Sequence, residues 1–175
     1  MIREIIWMLS EFEAIFSQPN SSIWIRRRYL KYCGTEFKMP LWIGRDMRLI
    51  NGNNLILGKR CALGDYTRII AWTPITIGDD FTGASGLHID SGSHNTIDMS
   101  PQGAPIIIGN RVWCGINVTI IAGVTIGDDV VIGAGSVVCD DIPAGNIASG
   151  VPAKIIKPLN RLNTKVWTWA SDQIK

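Results

Sequence analysis

Apolar residues recur every six positions through the second half of the chain. Between residues 108 and 138, glycine directly follows four of the six recurring positions, and a small or β-branched residue lies four positions after each. A period of six matches neither a helix, with its period of 3.6, nor a strand, with its period of two. It predicts a solenoid in which each hexad forms one short strand and one turn. The recurring residues are Ile108, Cys114, Ile120, Ile126, Ile132 and Val138.

Three such hexads are expected to close one triangular coil. The apolar first residue of each hexad and the residue four positions later then point inward and form a narrow core. Segments such as Gly109-Asn110 and Gly127-Asp128-Asp129 fall at the corners, where glycine, asparagine and aspartate supply the unusual backbone angles of turns. The flat outer faces of this solenoid favour self-association into a symmetric trimer.

The rhythm begins near Leu41 and is looser in its first half, where the register slips between Ile69 and Ile77. Residues 90–105 break the rhythm with serine, glycine, histidine, asparagine and proline, and so predict a loop extruded from one coil. A long loop in an otherwise regular solenoid is usually functional. We therefore predict one all-β solenoid domain at residues 41–157, with its extruded loop at 90–105.

Two segments flank the predicted solenoid. Residues 1–40 predict an N-terminal helical cap, because apolar side chains recur at helical spacing in residues 1–17. The cap is expected to pack on the mouth of the solenoid, and peripheral membrane contact through residues 1–33 is the alternative. Residues 158–175 are a short C-terminal tail whose tryptophans, Trp167 and Trp169, leave its fold open.

A basic stretch, Trp24–Lys31, lies within the cap and contains the triplet Arg26–Arg28. One interpretation is a solvated helix face with Trp24 and Leu30 turned inward. The alternative is a binding site for an anionic acceptor or a membrane surface.

Composition and charge exclude several classes of function. The net charge of +2 comes from 17 basic and 15 acidic side chains, which does not supply the basic face that nucleic acid requires. The cysteines lack metal-ligand and short-bridge spacing, so we expect free, packed thiols in a reducing, cytoplasmic compartment and no metal. No apolar run reaches transmembrane length, and no signal peptide is expected. The cysteines are Cys33, Cys61, Cys114 and Cys139.

Three segments carry a resemblance to a known family. They are IGNRVW from Ile108, IIAGVTIGD from Ile120, and the ending GVPAK from Gly150. These segments resemble the hexapeptide-repeat acyltransferases, in the branch of galactoside, maltose and polysaccharide O-acetyltransferases, over roughly residues 57–157. The resemblance implies a left-handed parallel β-helix, a homotrimer, acetyl-CoA as co-substrate and a sugar hydroxyl as acceptor.

The resemblance also implies a catalytic histidine on the extruded loop. The chain has two histidines, and His94, in the sequence SGSHNT, matches the family position. An imidazole that titrates near neutrality can take the proton of a sugar hydroxyl as it attacks the thioester and can then return a proton to the CoA thiolate. Asp90 and Asp98 are the candidates to orient this imidazole, and a main-chain carbonyl is equally compatible with the sequence.

In the family, the cofactor lies in a groove between adjacent coils of two subunits, where side chains must be small. Trp113 is expected against the cofactor or a neighbouring subunit, and the backbone N–H of Gly115 is the candidate donor to the oxyanion. Lysines near the C-terminal end of the match are expected to bind the CoA phosphates as point charges. The full set of expected cofactor contacts is Trp113, Gly115, Ile116, Ala134, Cys139, Lys154 and Lys157.

The acceptor site is less well defined by the resemblance. The acidic residue and the asparagine that contact sugar in the galactoside and maltose enzymes have no clear counterpart here. Asp65 and Trp72 lie in that region, and the Trp72 ring could stack on a sugar. His88 either lines the acceptor pocket or is exposed and inert. Together with Arg26–Arg28, this departure favours a nucleotide- or lipid-linked sugar of surface polysaccharide assembly.

Three alternatives to a sugar O-acetyltransferase follow from the same features. A xenobiotic or amino-sugar N-acetyltransferase belongs to the same branch. A carbonic anhydrase built on this solenoid needs three zinc-binding histidines, and the chain has two. A non-catalytic scaffold would have no need of His94 or of the GVPAK ending.

Overall fold

The computed structural model of the chain describes residues 21–160. The predicted helix at residues 1–17 and the tryptophans Trp167 and Trp169 lie outside the described residues. Along the chain the elements are α1 (Ser21–Tyr32), β1 (Glu36–Phe37), β2 (Leu41–Ile43), β3 (Arg48–Ile50), a 3-10 turn (Gly52–Asn54), β4 (Leu55–Leu57), β5 (Cys61–Leu63), β6 (Arg68–Ile70), β7 (Ile75–Ile77), β8 (Thr82–Gly83), β9 (His88–Asp90), β10 (Gly92–His94), β11 (Pro101–Gly103), β12 (Ile106–Ile108), β13 (Trp113–Cys114), β14 (Thr119–Ile120), β15 (Thr125–Ile126), β16 (Val131–Ile132), β17 (Val137–Val138), β18 (Asn146–Gly150) and β19 (Ala153–Pro158).

The short strands stack into three parallel sheets that form the sides of a triangular β-helix. Sheet A has the order β1-β4-β7-β12-β15, and sheet C has the order β17-β14-β9-β6-β3. Sheet B has the order β19-β18-β16-β13-β8-β5-β2, in which only the terminal β18–β19 pair is antiparallel. The chain visits the three sides in turn, so the predicted solenoid with one hexad per side is confirmed.

The core follows the predicted inward pattern. In the regular coils, the first residue of each hexad and the residue four positions later are all at most 3% exposed. Ser136, the polar member of this set, donates its hydroxyl proton to the carbonyl of Gly133 at 2.6 Å, which satisfies the buried hydroxyl. The set comprises Ile108, Val112, Cys114, Val118, Ile120, Val124, Ile126, Val130, Ile132, Ser136, Val138 and Ile142.

The looser register of the first coils reflects a change in coil length. The N–H of Arg45 bonds the side chain of Asp65, 20 residues further on, whereas the N–H of Asn110 bonds Asp128, 18 residues on. The longer coils accommodate extra residues between sheets C and A, such as the 3-10 turn at Gly52–Asn54. The spacing of the repeat along the sequence therefore changes, while the strands of successive coils remain paired in regular parallel register.

The corner glycines are required by the close approach of successive coils. A Cβ on Gly109 would lie 2.7 Å from the backbone nitrogen of Asp128 and 2.8 Å from the carbonyl carbon of Gly127. The expectation that these glycines supply unusual backbone angles is wrong, because their φ values are ordinary. Positive φ falls two residues after the glycine, on residues with side chains such as Arg111 (φ 56°) and Asp129 (φ 54°).

Polar side chains link the coils at one corner. Asn110 accepts the N–H of Asp79 at 2.8 Å, and Asp128 in turn accepts the N–H of Asn110 at 2.8 Å. These bonds to the ionised form hold the pKa of Asp128 below its usual value. Arg111 pairs with Asp129 on the next coil through two hydrogen bonds of 2.7 and 2.8 Å. The corner thus has satisfied backbone groups and paired charges.

Helix α1 closes the N-terminal end of the solenoid. Arg26 is buried and donates to the carbonyl of Ile43 at 3.1 Å, and Arg27 donates to the carbonyl of Leu41 at 2.7 Å. Both guanidinium groups therefore cap backbone acceptors of β2. Leu30 is buried as expected.

Trp24 does not turn inward, contrary to the expectation. Its side chain is 62% exposed, and the Arg28 guanidinium lies 5.2 Å from the centre of its ring. This distance is typical of a cation–π contact on the surface. No helix among the described residues is both long and apolar enough to span a membrane.

The expectation of four packed thiols is confirmed for three cysteines and wrong for Cys139, which is exposed. All four are free. Burial raises the pKa of Cys61 to about 11 and that of Cys114 to about 12. These two thiols are therefore protonated and unreactive at neutral pH.

The extruded loop at residues 90–105 is a β-hairpin. Strands β10 and β11 pair antiparallel, with Gly92 opposite Gly103 and His94 opposite Pro101. The turn beyond them is closed by a hydrogen bond of 2.9 Å from the N–H of Asn95 to the carbonyl of Ser100. The hairpin leaves the solenoid between β9 of sheet C and β12 of sheet A.

Ser91 anchors the base of the hairpin to the preceding coil. Its buried hydroxyl accepts the N–H of Thr73 at 2.9 Å and donates to the Thr73 carbonyl at 2.8 Å. The carboxylate of Asp90 accepts the N–H of Gly92 at 2.8 Å. These bonds fix the direction in which the hairpin leaves the solenoid.

Replacing a corner glycine should separate two coils. We expect Gly109→Ala to lower the free energy of unfolding by about 3 kcal/mol or more, because the new methyl group meets backbone atoms that cannot rotate away. Gly135→Ala is the control, since Gly135 has positive φ but nothing within 4 Å of a Cβ, and it should cost about 1 kcal/mol. Urea unfolding of both variants measures the difference, and equal losses would contradict the close-approach argument.

Removing the anchor hydroxyl should loosen the hairpin. We expect Ser91→Ala to leave both backbone groups of Thr73 without partners and to cost about 1–3 kcal/mol. Hydrogen exchange at residues 92–103 should become faster. Ser93→Ala, on the exposed face of β10, should leave exchange unchanged. Slow exchange of the hairpin in Ser91→Ala would show that the anchor lies elsewhere.

Candidate active site

The hairpin presents His94 to solvent at the end of β10. The imidazole is exposed, and it makes no side-chain hydrogen bond to any of residues 21–160. It is therefore accessible to an incoming substrate. The two carboxylates predicted to orient it have other partners. Asp90 accepts the N–H of Gly92, and Asp98 accepts both the N–H and the hydroxyl of Ser100.

The hydrogen bonds from Ser100 affect the ionisation of Asp98. The two bonds from Ser100, of 3.0 and 2.7 Å, lower the pKa of Asp98 because they stabilise its ionised form. Asp90 lies at the base of the hairpin and Asp98 lies in its turn. Neither carboxylate is hydrogen-bonded to His94 in this structure.

Trp72 packs across the base of the hairpin. A Cβ on Gly92 would lie 3.3 Å from Cβ of Trp72, and a Cβ on Gly103 would lie 3.0 Å from Cδ1 of the indole. Because Gly92 and Gly103 face each other across the hairpin, their missing side chains leave the space that the indole occupies. The ring remains more than half exposed, so it can contact both the hairpin and a ligand.

The other two candidates for acceptor binding have different surroundings. Asp65 accepts the N–H of Arg45 at 2.7 Å and forms an ion pair with its guanidinium at 3.1 Å. This carboxylate joins two coils at a corner, which is a structural role that the sequence did not suggest. His88 lies on the outer face of β9, beside Arg68 and Thr119, and it is half-buried rather than fully exposed.

The candidates for cofactor binding lie on the coils after the hairpin. Trp113 projects from sheet B between Thr82 and Val131 and is 51% exposed. Ile116 and Ala134 are exposed at the next corner, on successive coils. The Ile116 carbonyl accepts the N–H of Gly135 at 2.8 Å, which holds the two coils together there.

The backbone N–H of Gly115 is not available to an oxyanion. It donates to the carbonyl of Ile132 at 2.8 Å within the ladder of sheet B. The expectation that this N–H stabilises the tetrahedral intermediate is therefore wrong for this atom. The glycine itself is required by packing, because a Cβ would lie 2.7 Å from the nitrogen of Ala134.

The two lysines occupy opposite ends of β19. Lys154 pairs with Ser149 in the terminal hairpin, and Lys157 pairs with Ile147. The ammonium of Lys154 donates to Asp140 at 2.8 Å, and this bond raises the pKa of Lys154. Asp140 directly follows the exposed Cys139, so it lies on the same surface as the cofactor candidates Cys139 and Lys154. The sequence analysis did not identify this carboxylate.

The hairpin divides the candidates into two groups. Asp65, Trp72 and His88 lie on the coils before it, and the cofactor candidates lie on the coils after it. Within residues 21–160, no group of three or more histidine, cysteine, aspartate or glutamate side chains is placed to hold a metal ion.

Comparisons with known proteins agree with this architecture. Residues 105–140 match the family model described as bacterial transferase hexapeptide, six repeats. A protein of Escherichia coli (strain K12) that is named as an O-acetyl transferase of lipopolysaccharide biosynthesis is 40% identical over 119 residues, which are 60% of this chain and 60% of that protein. The chain thus spans less than two thirds of that relative's length.

Two solved structures have the same fold. A maltose O-acetyltransferase from Clostridium difficile 630 is 30% identical with a TM-score of 0.72, and the match covers 91% of this chain and 87% of that one. A galactoside acetyltransferase in complex with coenzyme A is 28% identical with a TM-score of 0.69, over 90% of this chain and 81% of that one. The expectation of a left-handed parallel β-helix is thereby confirmed. The six-residue repeat, the projecting hairpin and these matches show that the chain belongs to the hexapeptide-repeat acetyltransferase family.

Proposed function

We propose that this protein is an acetyl-CoA-dependent O-acetyltransferase. Its acceptor is a sugar hydroxyl of a surface polysaccharide or of the nucleotide- or lipid-linked precursor. The observation that carries the proposal is the position of His94, an accessible imidazole on a hairpin that separates two groups of candidate ligand-binding residues. The relatives named for maltose, galactoside and lipopolysaccharide acetylation support the sugar acceptor.

His94 acts as the general base. Its neutral imidazole accepts the proton of the sugar hydroxyl while the hydroxyl oxygen attacks the thioester carbonyl. The resulting imidazolium returns a proton to the CoA thiolate as the carbon–sulfur bond breaks. General acid–base catalysis of this kind contributes about 10²–10⁴-fold to the rate. The absence of a hydrogen bond to the His94 side chain within residues 21–160 leaves the ring nitrogens available for this role.

Acetyl-CoA binds along the coils after the hairpin. Ile116 and Ala134 form a small exposed apolar surface on successive coils. The small side chain of Ala134 lets a pantetheine arm approach the backbone. Lys154 and Lys157 supply positive charge for the CoA phosphates, with Asp140 setting the position of Lys154. The complex of the related galactoside acetyltransferase with coenzyme A supports this co-substrate.

The acceptor binds on the coils before the hairpin. The exposed part of the Trp72 ring offers a flat apolar face for a sugar, and the contact of this ring with the hairpin base supports a binding site on the hairpin's N-terminal side. The proximity of acceptor and base makes an otherwise bimolecular proton transfer intramolecular.

The active form is a homotrimer in this proposal. Apolar side chains are exposed on the sheet faces and above all at the hairpin tip, where Ile97 is 92% and Met99 67% exposed. Exposed apolar surface of this kind is typical of a protein–protein interface. A trimer would cover this apolar surface, and light scattering measures the number of chains.

Substituting the base should abolish turnover without abolishing cofactor binding. We expect His94→Ala to lower acceptor-dependent release of CoA thiol by about 10²-fold or more. Ser93→Ala, on the same strand, is the matched control and should retain activity. Binding of acetyl-CoA, measured by calorimetry, should be unchanged in both. Turnover that survives in His94→Ala would remove this residue from the mechanism.

A second test asks whether Asp90 orients His94, because in this structure the Asp90 carboxylate accepts a hydrogen bond from the hairpin backbone instead. We expect Asp90→Asn to retain activity within about threefold, since the amide oxygen can still accept the Gly92 N–H, whereas Asp90→Ala should lose more. Steady-state kcat/KM values compare the two variants. A loss in Asp90→Asn as large as in His94→Ala would instead show that the charge of Asp90 orients the catalytic imidazole.

A further inference from the structure

The outer face of sheet C carries a row of basic side chains. The register pairs Arg48 with Arg68 on β3 and β6, and pairs Arg68 with His88 on β6 and β9. Neighbouring strands lie about 4.8 Å apart. The Cα atoms of the three residues therefore span about 10 Å on one face of the sheet. We call these three residues the basic row.

The two arginines of the row differ from every other arginine among residues 21–160. Both are exposed, and neither has a side-chain hydrogen-bond, ion-pair or ring partner in that part of the chain. The remaining arginines bind carbonyls, carboxylates or an aromatic ring. Those are Arg26 and Arg27 at β2, Arg28 on Trp24, Arg45 with Asp65, Arg60 with Asp80, and Arg111 with Asp129.

Like charges directly opposite on one sheet face destabilise the sheet. The solenoid avoids this arrangement at its corner, where arginine and aspartate alternate between coils. An unrelieved Arg48–Arg68 pair is therefore a feature that packing does not explain, and an anionic ligand would relieve it.

His88 provides an independent observation. Its Nε2 atom is shielded from solvent and has no hydrogen-bond partner among the described residues. Buried polar atoms are nearly always hydrogen-bonded. Rotation of the His88 ring toward an oxyanion bound over the row would expose this nitrogen and give it a partner.

The row lies on the acceptor side of the hairpin. Strand β9, which carries His88, leads directly into the hairpin strand that carries His94. Arg48 and Arg68 lie on the two coils before it, away from the cofactor candidates. The nearest carboxylate on the same strand is Asp90, which is held by the Gly92 N–H.

The position of this row changes the interpretation of the basic triplet at residues 26–28. Arg26 and Arg27 are occupied by carbonyls of β2, so they are not free to bind an anionic acceptor. Among the described arginines, those without a partner are Arg48 and Arg68 on sheet C, next to the proposed catalytic hairpin.

We propose that Arg48, Arg68 and His88 bind the diphosphate group of the acceptor, a sugar linked through diphosphate to a nucleoside or to a polyprenyl lipid. This inference rests on the proposed function. Guanidinium groups bind phosphate oxygens through two parallel hydrogen bonds, and two adjacent guanidinium groups match the two phosphates of a diphosphate. The sugar then extends toward Trp72 and His94.

Binding is tested first without any turnover. Calorimetry of the full chain with inorganic pyrophosphate compares the wild type with Arg48→Gln/Arg68→Gln. We expect at least a tenfold weaker affinity in the double variant. Arg28→Gln, which removes one positive charge from helix α1, should bind as the wild type does. Unchanged affinity in the double variant, or an equal loss in Arg28→Gln, would overturn the proposal.

Kinetics then identify the acceptor. KM for a nucleoside diphosphate sugar should rise at least tenfold in Arg68→Gln with little change in kcat, while KM for the neutral methyl glycoside of the same sugar should not change. A polyprenyl diphosphate sugar is the second charged acceptor, and the one acetylated more efficiently identifies the carrier. Equal KM values for charged and neutral acceptors in the wild type would contradict the inference.

The two proposals fail in different ways. Pyrophosphate binding that depends on the row, with no acetyl transfer to any acceptor, would refute the proposed function and leave the anion site standing. Acetyl transfer that depends on His94 but not on the basic row would support the proposed function and refute the diphosphate site. The double variant should fold, because it removes a repulsion, and its urea midpoint should equal or exceed that of the wild type.

Discussion

The spacing between successive coils is the constraint on which the rest of this structure depends. Parallel strands of adjacent coils must lie about 4.8 Å apart to form their hydrogen bonds. At the corners this brings backbone against backbone, so a Cβ on Gly109 would lie within 3 Å of two backbone atoms of the next coil. Glycine at each such corner lets the three sheets close, and the core of small and β-branched residues fills the narrow interior that results.

The same constraint explains how a hairpin can be inserted without disturbing the solenoid. The N–H of Asp79 bonds the side chain of Asn110, 31 residues further on, and the next coil returns to an offset of 18. The ladder is therefore continuous on both sides of the insertion. Ser91 and Thr73 connect the hairpin base to the preceding coil through reciprocal hydrogen bonds. A rigid scaffold thus carries an exposed, directed element, which is a common arrangement for catalytic residues.

Within residues 21–160, arginine side chains are paired with carboxylates at one corner of the solenoid but not on the outer face of sheet C. At one corner, arginine and aspartate alternate along the stack, and each guanidinium is paired with a carboxylate of a neighbouring coil. On sheet C, Arg48 and Arg68 stand beside each other without such partners among the described residues. Paired charges at a corner serve the stack itself. The unpaired charges on sheet C are the basis of the proposed diphosphate site.

The sequence by itself determined the architecture and the identity of the candidate base. A period of six residues cannot be satisfied by a helix or a two-sided strand, and a break in that period marks an insertion, so the solenoid, its core positions and the loop at 90–105 could be read from the pattern. Tertiary structure alone decided which polar groups are free. The N–H of Gly115, the carboxylate of Asp65 and the guanidinium of Arg26 all have partners on other coils or elements. Those partners are 17 to 20 residues away in sequence, and a local pattern carries no information about which donor meets which acceptor at that separation.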